Sequence, residues 1–415
     1  MAIIALPRGR AARAVSRAQD SRARQGTPRS ILARHGMPRL LVSCGEPSGD
    51  FYGAELVRHL RPRVGALDVF GLGGDRLESQ GARLTAHVRE LAVVGLLEVV
   101  SHLPRLRRIF RQVLAEVDAD RPDLAVLVDY PDFNLRLAKE LRRRDIPVVY
   151  YVSPQVWAWR RGRVRAIRET VSRMLVIFPF EETMYREAGV PVTFVGHPLV
   201  DLVRPAEDRA AFLRSCGLDP DRPVVAILPG SRRKEVAHNV GPLAAAAERL
   251  RRSKPELQFL VALAPSLDRT PVARAFEPSG GRIVAGATHA ALGASRLALV
   301  ASGTATVEAA LLGVPMVVVY RVSRLTYGLG RPLVRVPHFA MVNLVAGRAV
   351  VPELMQSDFT AERVADEAAS LLDDPARYER MRRDLDEVRR RLGEPGASAR
   401  AATRVAEALG KGEKP

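Results

Sequence analysis

Short apolar runs alternate with helical patterns along most of the chain. In the first half the runs are "RLLVSC" (39–44), "LDVFGL" (67–72), "LAVLVD" (124–129), "PVVYYV" (147–152) and "RMLVIF" (173–178). Nearly every position in them is apolar, not every second one. A strand buried on both faces reads this way, so the pattern predicts parallel strands covered by helices on each side. Helical patterns such as "GDFYGAELVRHLR" and "NLRLAKELRRR" lie between the runs. The second half repeats the scheme with "VVAILP" (224–229), "LQFLVA" (257–262), "LALVAS" (297–302) and "PMVVVY" (315–320).

The pattern breaks around 197–209, "HPLVDLVRPAEDR", where prolines interrupt it and charge rises. The expected organisation is a basic disordered arm over 1–37 and a Rossmann-like domain over 38–203. A second such domain over 204–374 and C-terminal helices over 375–415 complete it. The fold class is α/β, two doubly wound domains facing a central cleft. Ligands in such sheets bind beyond the carboxyl ends of the strands.

Composition refines this picture only in places. The 415 residues are 47% hydrophobic but 5% aromatic, so the cores are aliphatic. Two cysteines, Cys44 and Cys216, give no disulfide framework and fit a reducing cytoplasm. No apolar run approaches the ~20 residues of a membrane span. The formal charge is +18, of which residues 1–36 carry +7 through eight arginines and one acid. That arm has no apolar periodicity, and "AIIAL" is too short for a secretory signal. It reads as a dispensable tail before Met37, with a nucleic-acid-binding arm as the alternative. The remaining positive charge fits an anionic substrate or membrane surface.

Candidate chemistry gathers where strands meet helices. "CGEPSGD" (44–50) has a tight glycine path, with Ser48 or Asp50 as helix cap, but lacks a Walker lysine. "GLGGD" (71–75) reads as a structural turn. Asp129 ends a buried strand in "VDYPDFN", which makes it a general-base candidate, while Asp132 is expected to cap the next helix and Asn134 follows. In "ILPGSRRKE" the Gly230–Ser231 turn opens a helix whose free N–H groups favour an anion, with Arg232 or Arg233 as a donor fork. "ASGTATVEAALLGVP" repeats the construction with Ser302, Gly303 and Thr304; Glu308 lies one turn on. Diphosphate on the amides and ribose hydroxyls on Glu308 would suit a nucleotide. No metal-ligand spacing and no G-x-S-x-G is present, so neither a metal nor another cofactor is expected. His197 could face the cleft or bond between domains.

Two further stretches are open. "ELAVVGLLEVVSHLPRLRRIFRQVL" (90–114) sets Val94, Leu96, Leu97 and Val100 beside Arg105, Arg107 and Arg108. It reads equally as an interfacial membrane contact and as a buried helix with a solvated basic end. "SPQVWAWRRGRVR" holds both tryptophans, Trp157 and Trp159, just past a strand end, where they would wall a cleft or anchor packing.

Together "GEPSGD", "LAVVGLLEV", "DYPDFN", "YYVSPQVWAWR", "FVGHPLVD", "LPGSRRKEV", "ASGTATVEAAL" and "VNLVAGRAVVPELMQ" resemble the lipid-A-disaccharide synthases over about residues 38–390. The resemblance implies a GT-B fold and an inverting glycosyltransferase needing no metal. It implies a UDP-2,3-diacylglucosamine donor and a 2,3-diacylglucosamine 1-phosphate acceptor. The products would be a β-1,6 disaccharide 1-phosphate and UDP, for lipid A and lipopolysaccharide in Gram-negative bacteria. The implied location is cytoplasmic and peripheral to the inner membrane.

By the same resemblance Asp129 is the base and Arg232 stabilises the departing UDP. Gly230, Ser231, Ser302, Gly303, Thr304, Glu308, Asn343 and Gln356 bind the UDP-sugar. Glu46, Ser48, Asp50, Trp157 and Trp159 lie on the acceptor side. Cys44 and Tyr130 depart from the family's small residues without removing a functional group. The arm lies outside the family pattern.

The competing readings are a UDP-N-acetylglucosamine epimerase or peptidoglycan transferase of the same fold, and a basic nucleic-acid-binding protein. The apolar 90–114 segment weighs against a water-soluble sugar substrate. The Trp-Arg stretch follows a strand end and faces the cleft, so no nucleic-acid partner is expected. A homodimer is compatible with the sequence.

Overall fold

The computed structural model describes residues 37–91, 96–154, 162–322 and 338–410, with the side chains of 96–102 outside the description. Both sheets belong to one unit of the chain, Gly36–Pro415. The first sheet contains β1 (Arg39–Cys44), β2 (Asp68–Gly73), β3 (Arg83–His87), β4 (Leu124–Val128), β5 (Val148–Tyr151), β6 (Arg173–Val176) and β7 (Val192–Phe194). Its order is β3-β2-β1-β4-β5-β6-β7, and every pairing is parallel. The second contains β8 (Val224–Leu228), β9 (Gln258–Leu263), β10 (Arg282–Ala285), β11 (Leu297–Ala301), β12 (Met316–Tyr320) and β13 (Glu353–Met355). Its order is β10-β9-β8-β11-β12-β13, again all parallel.

Each of the nine apolar runs forms a strand. The central strands β1, β4, β5, β8 and β11 are buried at every position, as two covered faces require. Alternate residues feed opposite layers. Val42, Val126 and Val128 pack with Leu56 and Leu60 of the helix Pro47–Val64. Leu41, Ala125 and Leu127 pack with Ile109, Val113 and Val117 of the helix Leu96–Ala119 and with Leu137 and Leu141 of Pro131–Arg143. Burying one such Leu or Val contributes roughly 1.5–3 kcal/mol.

The chain leaves the first sheet through residues 195–209 and returns at its C-terminal end. The helix Ala397–Ala408 packs on Pro47–Val64. The return is pinned by hydrogen bonds: His197 N–H donates to Leu392 O at 2.8 Å and Gly396 N–H to the Asp201 carboxylate Oδ1 at 2.7 Å. Arg400 Nε adds a bond to Val195 O at 2.8 Å.

Candidate active site

In the first sheet the strand order reverses between β1 and β4, and in the second between β8 and β11. A doubly wound sheet opens a crevice at the carboxyl ends of such a strand pair. The loops after these four strands are "GEPSGD", "DYPDFN", "PGSRRKE" and "SGTATVE". The four stretches chosen for their chemistry therefore sit at the two switch points.

The first crevice is built around the turn after β4. Asp129 and Tyr130 both have left-handed backbone, φ 45° and 51°, a conformation that side chains with a Cβ adopt at a cost. The turn is held by buried Asn134. Its Nδ2 donates to Asp129 O at 2.8 Å and reaches Val128 O and Ser43 O, each at 3.2 Å. Its Oδ1 accepts from Ser43 Oγ at 2.7 Å, so one amide ties the end of β1 to the end of β4. Tyr150 Oη donates to the same Asp129 carbonyl at 2.6 Å. Gly45 is required here, because a Cβ at that position would lie 2.0 Å from Tyr130 Cγ.

In the second crevice, the helix Arg233–Ser253 begins with Arg232 at its N-cap position. Ser231 N–H and Arg232 N–H donate to Glu235 Oε2 at 3.2 and 3.4 Å, and the Arg232 guanidinium reaches Oε1 at 3.3 Å. Across the switch point, Gly303 stands at the N-cap position of the helix Thr304–Leu311 with φ 152°. Ser302 Oγ donates to Phe339 O at 3.2 Å. Glu308 is mostly buried, and its Oε1 lies 3.4 Å from His289 Nε2.

The model of one family, described as lipid-A-disaccharide synthetase, matches residues 40–408. The lipid-A-disaccharide synthase of Myxococcus xanthus is 49% identical over 378 residues, covering 90% of this chain and 98% of that protein. That of Geobacter sulfurreducens is 45% identical over 375 residues, covering 90% and 98%.

The chain belongs to the lipid-A-disaccharide synthase family.

Solved structures agree on the fold. A putative UDP-N-acetylglucosamine 2-epimerase from Listeria monocytogenes superposes with a TM-score of 0.62 at 13% identity, covering 92% of this chain and 99% of that one. The glycosyltransferase of kitacinnamycin gives 0.61 at 17% identity, covering 90% and 100%. The chain is thus a GT-B glycosyltransferase of lipid A biosynthesis, and the epimerase alternative is not favoured.

The charge environment of the first crevice centres on Asp129. Burial, then the nearby Glu46 carboxylate, pushes the Asp129 carboxyl up from the ordinary 3.8 to about 6. Tyr52, on the helix Pro47–Val64, is buried, and its phenol is pushed up first by that burial, then by the charges of Glu308 and Asp129. Tyr52 therefore lies within electrostatic reach of a carboxylate from each crevice. His197 is buried and pushed down to about 3 by desolvation, which keeps it neutral. Its Nδ1 accepts from Leu199 N–H at 3.1 Å, and its ring packs on Phe178, a structural role at the crossing between sheets.

Two capping expectations are corrected. Neither Ser48 nor Asp50 caps its own helix, which begins at Pro47 with Glu46 at the N-cap position and no side-chain bond there. Ser48 is exposed. Asp50 is buried and instead caps the next short helix, Asp75–Ser79. It accepts from Gly74 N–H at 2.6 Å, Leu77 N–H at 3.1 Å and Arg76 N–H at 3.2 Å. Asp132 does not cap its helix either: Tyr130 holds that position, and Asp132 pairs with Arg163.

The amide of Asn343 is spent inside the chain. It accepts from Val350 N–H at 2.8 Å and Val351 N–H at 3.0 Å, and donates to Glu353 Oε1 at 2.6 Å. Gln356 has φ 50° and, in its satisfied orientation, pairs with both backbone groups of Val322. Val94, Trp157 and Trp159 lie outside the described residues, as do the side chains of Leu96, Leu97 and Val100. Arg105, Arg107 and Arg108 are exposed, with Arg105 paired to Glu90 at 3.1 Å, while Ile109, Val113 and Val117 of the same helix are buried. One face of this helix is thus buried and the other presents the arginines to solvent. Among the described residues no helix is long and apolar enough to cross a membrane.

Sequence reading missed Tyr52 and His289. Each lies inside an ordinary helical pattern, and only its neighbour across the fold distinguishes it.

Proposed function

We propose that the chain transfers the 2,3-diacylglucosamine unit of a UDP-linked donor to the 6-hydroxyl of 2,3-diacylglucosamine 1-phosphate. The acceptor oxygen forms a bond to the donor anomeric carbon as the bond to the diphosphate oxygen breaks, with inversion. The hydroxyl proton passes to Asp129, and the electron pair leaves with UDP. The observation that carries this reading is Asp129 itself, a carboxyl at the first switch point whose affinity for a proton is raised toward neutrality. A base is most effective when its pKa lies near the working pH.

On the donor side, Gly230, Ser231 and Arg232 take the diphosphate, joined by Ser302, Gly303 and Thr304. Glu308, oriented by His289, takes the ribose hydroxyls. The Arg232 guanidinium meets the charge that grows on the leaving oxygen. An S. aureus neighbour of the same fold was solved with UDP, which supports a UDP-linked donor for this fold. Glu46 and the "GEPSGD" turn border the acceptor. The exposed Arg105, Arg107 and Arg108 face an anionic membrane surface, where both lipid substrates reside.

The test mixes both diacylated substrates with the full chain and measures disaccharide and UDP. Asp129→Asn lowers turnover by about 10²–10⁴-fold while UDP binding is kept. Undiminished turnover removes Asp129 as the base, and no product from folded wild-type protein removes the reaction.

A further inference from the structure

The turn that should receive the donor's diphosphate already holds an anion belonging to the chain. Glu235 Oε2 accepts from Ser231 N–H at 3.2 Å and Arg232 N–H at 3.4 Å, and Oε1 takes the Arg232 guanidinium at 3.3 Å. The turn is shaped to this side chain. Gly230 has φ 124°, and a Cβ there would lie 2.9 Å from Glu235 Cβ and 3.0 Å from Oε2.

Each of the two amides has a single N–H and cannot point at a carboxylate and at a phosphate together, and the guanidinium nitrogen turned to Glu235 is likewise taken. The bonds to Glu235 are long, and its partner Arg232 is 73% exposed, so water and ions screen the pair and it is weak. A diphosphate carries more charge and profits equally from the helix terminus. The like charge of Glu235 would also oppose it at close range.

Resting on the nucleotide reading above, we propose that Glu235 is an internal competitor for the donor. Its carboxylate occupies the diphosphate amides and Arg232 in the empty enzyme, and the UDP moiety displaces it. Displacement frees the Arg232 guanidinium for the leaving group only when donor is present. A fixed capping role makes the opposite forecast, since a cap that stays in place helps the turn to bind.

Calorimetric titration of UDP into wild type and Glu235→Gln decides between them. Glutamine keeps the length and an acceptor oxygen but removes the charge. The expected result is UDP binding tighter by about fivefold or more in the variant, with a matching fall in donor KM. Equal or weaker binding by a variant that melts like wild type overturns the proposal. A second measurement needs no variant: a crystal structure of wild type with UDP. Glu235 withdrawn from the Ser231 and Arg232 amides supports displacement, and Glu235 still bonded to them refutes it. Wild type that fails to bind UDP at all removes the nucleotide site and this proposal together. Binding without tightening removes this proposal alone.

Discussion

Asn134 Nδ2 donates to the carbonyl of Asp129 at 2.8 Å, and this bond holds the left-handed turn that presents the carboxyl. The Asn134 amide is fully buried and also serves Ser43. Asn134→Ala leaves Ser43 Oγ without its acceptor and removes one of two donors to the Asp129 carbonyl, Tyr150 Oη remaining, at a cost of about 1–3 kcal/mol. Urea unfolding reads that loss, and on the proposed role of Asp129 as base kcat falls more than donor KM rises, because its carboxyl is misplaced.

The raised Asp129 pKa fixes the sign of two pH effects. As a base Asp129 must be ionised, so kcat/KM rises with pH through about 6 and levels above it. Glu46 contributes to the shift, so Glu46→Gln moves this limb to lower pH. For stability, a carboxyl with a folded pKa above its unfolded value favours folding when protonated. That contribution is complete below the ordinary 3.8 and is lost as pH rises through about 6. Denaturant titrations across this window should show Asp129→Asn gaining on wild type as pH rises.

Gly45 and Tyr130 make a coupled pair. Gly45→Ala drives a methyl into the Tyr130 ring, which overpacking data place at about 1–3 kcal/mol. Adding Tyr130→Ala removes the ring, and the double variant should recover much of the loss. Additive destabilisation in the cycle would show that the ring is not the obstacle.

His289 orients Glu308 across 3.4 Å from a partly exposed position. A pair of this kind is worth no more than about 1 kcal/mol. His289→Ala should therefore raise donor KM by up to about fivefold with kcat nearly unchanged. A fall in kcat at constant KM would contradict the orienting role.

Arg107 and Arg108 are exposed on the helix Leu96–Ala119. Replacing both by Gln should weaken binding to anionic vesicles by roughly 1 kcal/mol per residue, a loss that fades as salt is raised. Cosedimentation with phosphatidylglycerol vesicles measures it, and neutral vesicles serve as the control.

The sequence alone determined the strands buried on both faces, because burial there makes every residue of "LAVLV" (124–128) or "LALVA" (297–301) apolar. It also marked the turns after β1, β4, β8 and β11, where glycine and short polar residues break those runs. It did not show the edge strands β3, β7, β10 and β13, which are short and half-exposed and so carry no continuous apolar run. Only the tertiary structure decided which polar groups meet. Asp50 left its own helix to cap Asp75–Ser79, Asp132 turned to Arg163, and Asn343 was spent on Val350, Val351 and Glu353. The physical reason is one of range. Burial leaves its mark on each residue in turn, whereas a hydrogen bond or ion pair depends on a partner that strand order brings near from far along the chain.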